Sequence, residues 1–440
     1  MSLSRRGFLH AGAVSTTVSL SGWMGRLAAA EAAGKSPKRT KSVILIWLNG
    51  GPSTIDLWDV KAGHDNGGPT TEIRTPAEGL RISHLLPKLA AHGKELAVLR
   101  GMSTKEGDHG RATYQMRTGQ LPFGALQYPS LGALVSKELG DPTAETPNFI
   151  SVAPQRFFNL DAYGPGFLGP KYAPLVIGEN RGFNERGAVE YKAIDDGLKV
   201  DNLARADGVT ADQAAGRLEM LRKMQDEFAA ARPGPVAAGH LSAYDRSTRL
   251  MQSDAAKTFD LSTEDVKDRE KYGKSYFGQG CLLARRLVEK GVPFVEVNHG
   301  FWDTHNQNFD ALKPLAGTLD QGFAALLADL KQRGLLDTTL VVCLGEFGRT
   351  PKINAGNGRD HYPNAWSAVL AGGGTKGGRA VGKTSADGTT VEDRPVSSID
   401  LLATVCKIIG VDSDKQNMSN IGRPIRIVDR AAKPVTEVFA

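Results

Sequence analysis

The chain has 440 residues, of which 40% are hydrophobic and 23% are charged. It can therefore bury a large core, which excludes a small disulfide scaffold and a wholly disordered protein. The formal net charge is +6, but the first 30 residues contribute three arginines and no acidic residue, so the remainder is nearly neutral. This near-neutral net charge gives no indication of a basic nucleic-acid-binding surface. The three cysteines are widely spaced, which excludes a CxxC metal or redox motif.

The N-terminus has the features of an export signal. Arg5 and Arg6 precede a weakly apolar stretch at 11–23 and small residues at 28–30. This pattern resembles a twin-arginine signal with an A-x-A cleavage site, although a basic N-terminal helix with chance arginines would look similar. We predict a signal peptide over 1–30, recognition by the twin-arginine export machinery, and a periplasmic or secreted mature protein. No later segment reaches the ~18 apolar residues of a membrane span, so we expect no integral span after signal removal.

Predicted strands and helices alternate along the chain. Residues 42–48 are a continuous apolar run that ends in Asn-Gly-Gly-Pro, which predicts a strand buried on both faces. A helix is predicted at 84–92 and a second strand at 95–99. Further along, the predicted strands are 293–297, 338–344 and 367–371, and the predicted helices are 274–290 and 312–331. The alternation favours an α/β fold with a mostly parallel central sheet and helices on both faces.

The middle of the sequence differs in composition. Residues 184–271 are rich in Arg, Lys, Asp, Glu and Ala and lack apolar strand-like runs. We predict a helical insertion there, packed on the α/β core. No fixed-period repeat or flexible linker divides the chain, so one α/β domain over 41–430 is the simplest organisation.

Polar side chains recur where the predicted strands end. In open α/β sheets, ligands bind beyond the carboxyl ends of the strands, so these positions are candidates for a site. The candidates are Asn49, Asp108, His109, Asp303, His305, Glu346 and, in a following loop, His361. Asp, Glu and His supply the oxygen and nitrogen ligands that Zn, Mn or Fe accept, so a shared polar site is predicted. For each histidine alone, a solvated or structural role is the alternative.

Three arginines accompany these loops. Arg111, Arg349 and Arg359 can offer planar donors to an anion, but ion pairs with the neighbouring acids would explain them equally well.

One motif points to nucleotide chemistry. Residues 377–384 match the phosphate-loop pattern G-x-x-x-x-G-K-[ST], which works between a strand and a helix. Here turn-forming residues follow, so we predict a glycine-rich hairpin and no nucleotide.

Several segments resemble a known superfamily. Residues 86–90, 118–119, 338–346 and 397–410 are similar to motifs of the alkaline phosphatase and sulfatase superfamily. Residues 47–59, 105–119, 302–308, 345–354 and 358–367 resemble the bacterial family called domain of unknown function 1501, which is placed in the same superfamily. The resemblance implies an alkaline phosphatase-like fold and a metal-assisted esterase whose nucleophile begins the helix after the second strand.

The sequence departs from that superfamily plan in three places. Asn49 stands where an aspartate ligand is usual, His109 occupies the nucleophile position, and Glu346 followed by Phe replaces Asp followed by His or Asn. These departures argue against two metals and leave open a non-catalytic binding or scaffolding protein.

One divalent metal is therefore the expectation from the resemblance. Zn, Mn, Ca and Mg are not distinguished. The implied ligands are Asp303, His305, Glu346 and His361; the implied catalytic residues are His109, Arg111 and Asp108; and the implied substrate-binding residues are Asn49, Arg349 and Arg359. The expected substrate is a small anionic ester or a sulfated glycan.

Overall fold

The computed structural model describes residues 42–181, 188–232 and 234–439. The signal predicted over 1–30 lies outside these described residues, as do residues 184–187 and 233 of the predicted helical insertion. Within the described residues, eight strands form one central sheet. They are β1 Ser42–Leu48, β2 Leu96–Met102, β3 Phe149–Val152, β4 Leu175–Ile177, β5 Phe294–His299, β6 Thr339–Leu344, β7 Trp366–Gly372 and β8 Arg379–Val381.

The strands are ordered β8-β2-β7-β6-β1-β5-β3-β4 across the sheet. β1 pairs in parallel with β5 and β6, and β5 pairs in parallel with β3. β7 runs antiparallel to both of its neighbours, β2 and β6. The predicted α/β fold with a mostly parallel sheet is therefore confirmed.

Helices cover the sheet and fill the middle of the chain. The α-helices of the described residues are α1 Pro87–Ala91, α2 His109–Thr118, α3 Leu131–Leu139, α4 Tyr191–Leu198, α5 Ala211–Ala231, α6 Pro235–Gln252, α7 Val266–Tyr272, α8 Tyr276–Glu289, α9 Asn308–Gln332 and α10 Ser398–Ile409. The described residues also form four two-stranded ribbons and several short 3-10 helices. The ribbons are Glu72–Arg74 with Arg81–Ser83, Gly348–Arg349 with His361–Tyr362, Lys383–Thr384 with Val391–Asp393, and Gln416–Met418 with Pro424–Arg426.

Some predicted boundaries were wrong. The helix predicted at 84–92 is only α1, because Pro87 stands at its start, where a missing amide N–H costs little. β2 continues to Met102 and pairs with Trp366 of β7, so the loop after it begins later than predicted. β3, β4 and β8 were missed, since runs of three or four residues are too short for a clear hydrophobic period.

Both faces of β1 are buried, as predicted. Ile44 and Ile46 belong to a cluster that includes residues of α8 and α9, whereas Val43 and Leu45 pack with residues of α10. Successive strand side chains point to opposite faces, so a continuous apolar run suits a strand covered on both sides. Val435 and Val438 are also buried in the second cluster, so the packed core extends beyond residue 430.

The direction of β7 decides which loops meet. β1, β2, β5 and β6 end at one edge of the sheet, and antiparallel β7 begins there. The loop before β7, which contains His361, therefore joins the loops that follow the parallel strands. The glycine-rich segment after β7 leaves from the opposite edge and runs into β8 and Lys383–Thr384 instead of a helix.

Candidate metal centre

Two loops bring an aspartate and two histidines together. Asp303 and His305 follow β5, and His361 lies in the short ribbon in which it pairs with Arg349. His305 Nε2 lies 3.0 Å from Asp303 Oδ1 and 3.0 Å from His361 Nε2, and His361 Nε2 lies 3.3 Å from Asp303 Oδ1. Zinc bonds of about 2.0–2.1 Å in a tetrahedral site place donor atoms about 3.3 Å apart. These three donors have the spacing of a metal site.

Each histidine is oriented through its other ring nitrogen. His361 Nδ1 lies 2.7 Å from the carbonyl oxygen of Gly107, and a carbonyl can only accept, so Nδ1 carries the proton. His305 Nδ1 lies 2.8 Å from Asp360 Oδ1. Metal-binding histidines characteristically donate this second N–H to a carbonyl or carboxylate, which fixes the tautomer and aims the other nitrogen at the metal. Both histidines here show that arrangement.

The side chain of Arg349 fixes the position of Asp303. Arg349 is almost fully buried and donates to Asp303 Oδ1 and to the carbonyl oxygens of Gly50 and Gly51. Burial alone would raise the pKa of Asp303, but the neighbouring imidazoles of His109 and His361 and the Arg349 guanidinium hold it well below its usual range. The Asp303 carboxylate is therefore ionised and available as an oxygen ligand.

Gly50, in the loop that follows β1, allows the backbone there to lie close to Asp303. Its φ is +109°, and a Cβ at this position would lie 2.5 Å from the backbone nitrogen of Asp303. A side chain would both strain the backbone and push the ligand loop away.

His109 links the centre to Glu346. His109 is the first residue of α2; its Nδ1 lies 2.7 Å from Glu346 Oε1 and its Nε2 lies 3.4 Å from Asp303 Oδ2. The ring stacks on Phe158 with centroids 4.3 Å apart. Burial lowers the pKa of His109, but the neighbouring carboxylates of Asp303 and Glu346 outweigh it and raise the pKa to about 9. His109, Asp303 and His361 are close enough together that they could also hold a metal ion.

Glu346 is connected to the centre by its hydrogen bond with His109. Its side chain is fully buried, and Oε1 accepts from His109 and from the amide of Gly50 at 2.9 Å. Oε2 is buried without a hydrogen-bond partner among the described residues. An unpaired buried carboxylate oxygen is costly, which fits a site that receives a cation or water.

Three other predicted residues have structural partners. Asn49 is buried, and its Oδ1 accepts from Trp47 Nε1 at 2.8 Å and from the Tyr163 hydroxyl at 3.3 Å. Asp108 is the N-cap of α2 and accepts from the amide of Arg111 at 2.9 Å. The exposed Arg111 guanidinium pairs with Glu106 at 2.6 Å, so the structure does not bring it into contact with the three-donor cluster.

Arg359 serves the fold instead of a ligand. It is fully buried, with Nε and Nη2 at 2.8 and 2.9 Å from the carboxylate of Asp56. Its remaining donors reach the carbonyl oxygens of Asn66, Thr350 and Pro351. All five N–H groups are thus used inside the protein, so in this arrangement Arg359 has no N–H left for an anion.

Sequence reasoning missed the outer partners of the histidines. Asp360 immediately precedes His361, so an acid beside a candidate ligand was a visible signal. The carbonyl of Gly107 carries no sequence signal because every residue has one.

Comparison with known proteins gives a family. A family model described as "Protein of unknown function (DUF1501)" matches residues 40–439. The chain belongs to this family. No curated protein matches the sequence.

Solved structures resemble this DUF1501 chain at low identity. The sulfatase PsFucS1 from Pseudoalteromonas sp. is 12% identical, with a TM-score of 0.39 over 88% of this chain and 70% of that one. The C-terminal periplasmic domain of EcEptC from Escherichia coli, in complex with Zn, is 11% identical, with a TM-score of 0.41 over 92% and 90%. Alkaline phosphatase from the Antarctic bacterium TAB5 is 10% identical, with a TM-score of 0.33 over 77% and 93%. These similarities concern the arrangement of the chain and not the chemistry of its site.

A cavity of about 780 Å³ adjoins the centre. Asp303 and Thr304 line one part of it, and residues of α9 and of the segment 272–275 line other parts, together with Ala188, His299, Phe301 and Asn306. The cavity is large enough for a small organic ligand.

No helix among the described residues is long and apolar enough to cross a membrane.

Proposed function

We propose that this DUF1501 protein is a metal-dependent hydrolase of sulfate or phosphate esters. Asp303, His305 and His361 would hold one divalent metal. The observation that carries the proposal is the 3.0–3.3 Å spacing of their three donor atoms, with both histidines oriented by a second hydrogen bond. Such a metal would act as a Lewis acid on the ester oxygens and favour ionisation of water.

The protein's own residues would then support hydrolysis. Water adds to sulfur or phosphorus, the bond to the alcohol oxygen breaks, and the alcohol leaves with a proton. His109 lies beside Asp303 and at the N-terminus of α2, where helix amides favour an anionic group. It is placed to supply that proton, while Glu346 fixes its ring. Arg349 positions Asp303 and has no direct contact with substrate in this proposal.

A binding or scaffolding function is the second candidate. Asn49 already accepts two hydrogen bonds through its Oδ1, and Phe347 is buried against Gly51 where a second metal ligand would be expected. Helix α2 begins with His109 instead of a hydroxyl or thiol nucleophile. These features support a site with one metal and are compatible with loss of catalysis.

Metal analysis and turnover separate the two functions. The protein is purified without added metal, analysed by mass spectrometry for bound metal, and assayed with aryl sulfates and aryl phosphates. We expect one metal per chain and ester hydrolysis in the wild type, and loss of both in His305→Ala and His361→Ala. His240→Ala, an exposed histidine on α6, is the matched control and should behave as wild type. Bound metal without turnover would support the binding function, and absence of both metal and a chelator effect on Tm would refute the metal centre.

Export is proposed on the sequence alone. The twin-arginine pattern at 1–30 supports transport to the periplasm or outside the cell. Fractionation of cells expressing the full chain and an Arg5→Lys/Arg6→Lys variant tests it. Equal export of the two proteins would contradict the proposal.

A further inference from the structure

The cavity beside the metal centre has the size of a binding site for an organic molecule. Its volume of about 780 Å³ lies within the 300–1,000 Å³ typical of small-molecule sites. A sulfate or phosphate group alone would fill a small part of it. Asp303 lines the cavity and also supplies a donor to the metal centre, so the two sites adjoin each other.

Helix α9 presents one face to this cavity. The lining residues Ala311, Pro314, Leu315 and Thr318 recur at helical spacing, and Gly317 lies among them. Pro314 has no amide hydrogen and interrupts the helical hydrogen bonding, and glycine is the next least favourable residue inside a helix. The two residues that most disfavour a helix therefore stand together at the cavity.

Packing does not explain Gly317. A Cβ at this position would meet no atom within 4 Å outside its own helix, and its φ lies outside the left-handed region. An alanine would therefore fit and would favour the helix. A larger side chain at position 317 would extend into the open space of the cavity.

The polar part of the lining suits a carbohydrate. Four neutral hydrogen-bonding side chains line the cavity together with Lys274 and His299: Ser275, Asn306, Thr318 and Gln321. Phe301 adds a partly exposed aromatic ring, held by a backbone φ of +70° that a bulky side chain rarely adopts. Hydroxyl groups of a sugar pair with such polar side chains, and its C–H face stacks on an aromatic ring.

We infer that this cavity holds the alcohol part of the substrate, a sugar ring of monosaccharide size, and that Gly317 determines whether the ring enters. The inference rests on the proposed function, because the alcohol is the leaving group of that hydrolysis. It assigns substrate selection to α9 and Phe301, which lie outside the metal centre itself.

The test replaces Gly317 by phenylalanine, which would project into the cavity. Gly216→Phe is the matched control, since Gly216 also lies inside a helix, α5, with no atom within 4 Å of its added Cβ, but does not line the cavity. Gly317→Ala is a smaller change, and Phe301→Gly removes the ring while suiting the positive φ. Thermal unfolding confirms that each variant is folded.

Binding is measured without catalysis. Saturation-transfer NMR with glucose, galactose, fucose and N-acetylglucosamine should show at least one bound sugar with wild type and Gly216→Phe. We expect at least a tenfold weaker interaction with folded Gly317→Phe, a smaller loss with Gly317→Ala, and a loss with Phe301→Gly. Absence of binding by all four sugars, or binding unchanged in Gly317→Phe, would overturn the inference.

Kinetics distinguish this inference from the proposed function. With a sulfate or phosphate ester of the bound sugar, Gly317→Phe should lower kcat/KM at least tenfold, but less than twofold with the ethyl ester. If Gly317→Phe lowers kcat/KM equally for the sugar ester and the ethyl ester, the role of Gly317 in sugar binding is overturned. The proposed hydrolase function would then still stand. Sugar binding that depends on Gly317 without any ester hydrolysis would refute the hydrolase and support the cavity as a sugar site.

Discussion

Replacing Asp360 by alanine tests whether His305 is held as a metal ligand. Asp360 Oδ1 lies 2.8 Å from His305 Nδ1, and the Asp360 side chain is 54% exposed. Its other side-chain contact is with Asn354 Nδ2 at 3.2 Å, also near the surface. Removing the carboxylate therefore leaves no buried group unpaired, and stability without metal should change by no more than about 0.5 kcal/mol.

The effect on metal binding should be much larger. Loss of an outer partner of a metal-bound histidine typically lowers affinity about 10–100-fold, which corresponds to about 1.4–2.7 kcal/mol. At a free metal concentration of about 100 Kd, the metal stabilises the wild type by about 2.7 kcal/mol. If the affinity falls 100-fold, the same concentration stabilises Asp360→Ala by only about 0.4 kcal/mol.

Zinc titration against a chromophoric chelator, with thermal unfolding in the presence and absence of zinc, measures both quantities. Asp254→Ala, at an exposed aspartate paired with Lys257, is the control and should match the wild type. If zinc binds the wild type and Asp360→Ala with equal affinity, the contact between His305 and Asp360 does not orient a metal ligand, and the role proposed for this contact is refuted.

Three further predictions concern the surroundings of the site. In chelator, protonated His109 should stabilise the fold fully below about pH 6.5, and this contribution should vanish as pH rises through about 9, because its pKa is raised in the folded protein. Arg117→Met should lower the free energy of unfolding in urea by about 3–5 kcal/mol, because it leaves the fully buried Glu296 carboxylate, 2.7 Å away, without its partner. Gly50→Ala should weaken zinc binding in the chelator titration, because its Cβ would displace Asp303.

Each of these predictions has a matched comparison. His109→Gln should lose the extra pH dependence of unfolding between pH 6.5 and 9, and an unchanged profile would contradict the assignment. Arg117→Met/Glu296→Leu should recover much of the lost stability, since no charge is then left buried. Gly63→Ala also replaces a glycine with positive φ but meets no atom within 4 Å, so it should leave zinc affinity unaltered; equal loss in both glycine variants would count against a specific displacement.

Local patterns were sufficient for much of the fold. The apolar run of β1 indicated a strand buried on both faces, and the alternation of strands and helices indicated a mostly parallel sheet. These predictions succeed because burial imposes a hydrophobic period that is visible within a few residues. The candidate ligands Asp303, His305 and His361 were also recognisable, because the ends of parallel strands share one edge and their side-chain chemistry suits metals.

The roles of the arginines needed the tertiary structure. Arg349 and Arg359 are only ten positions apart in sequence, yet they have different partners. Arg349 forms an ion pair with Asp303, whereas Arg359 forms a buried ion pair with Asp56, 303 positions away in sequence. His109 similarly meets Glu346 across 237 positions. The sequence alone determined which chemical groups gather at the sheet edge. Only the three-dimensional packing decided which of them face one another, because a charge takes its partner from whatever distant segment the fold brings within a few ångströms.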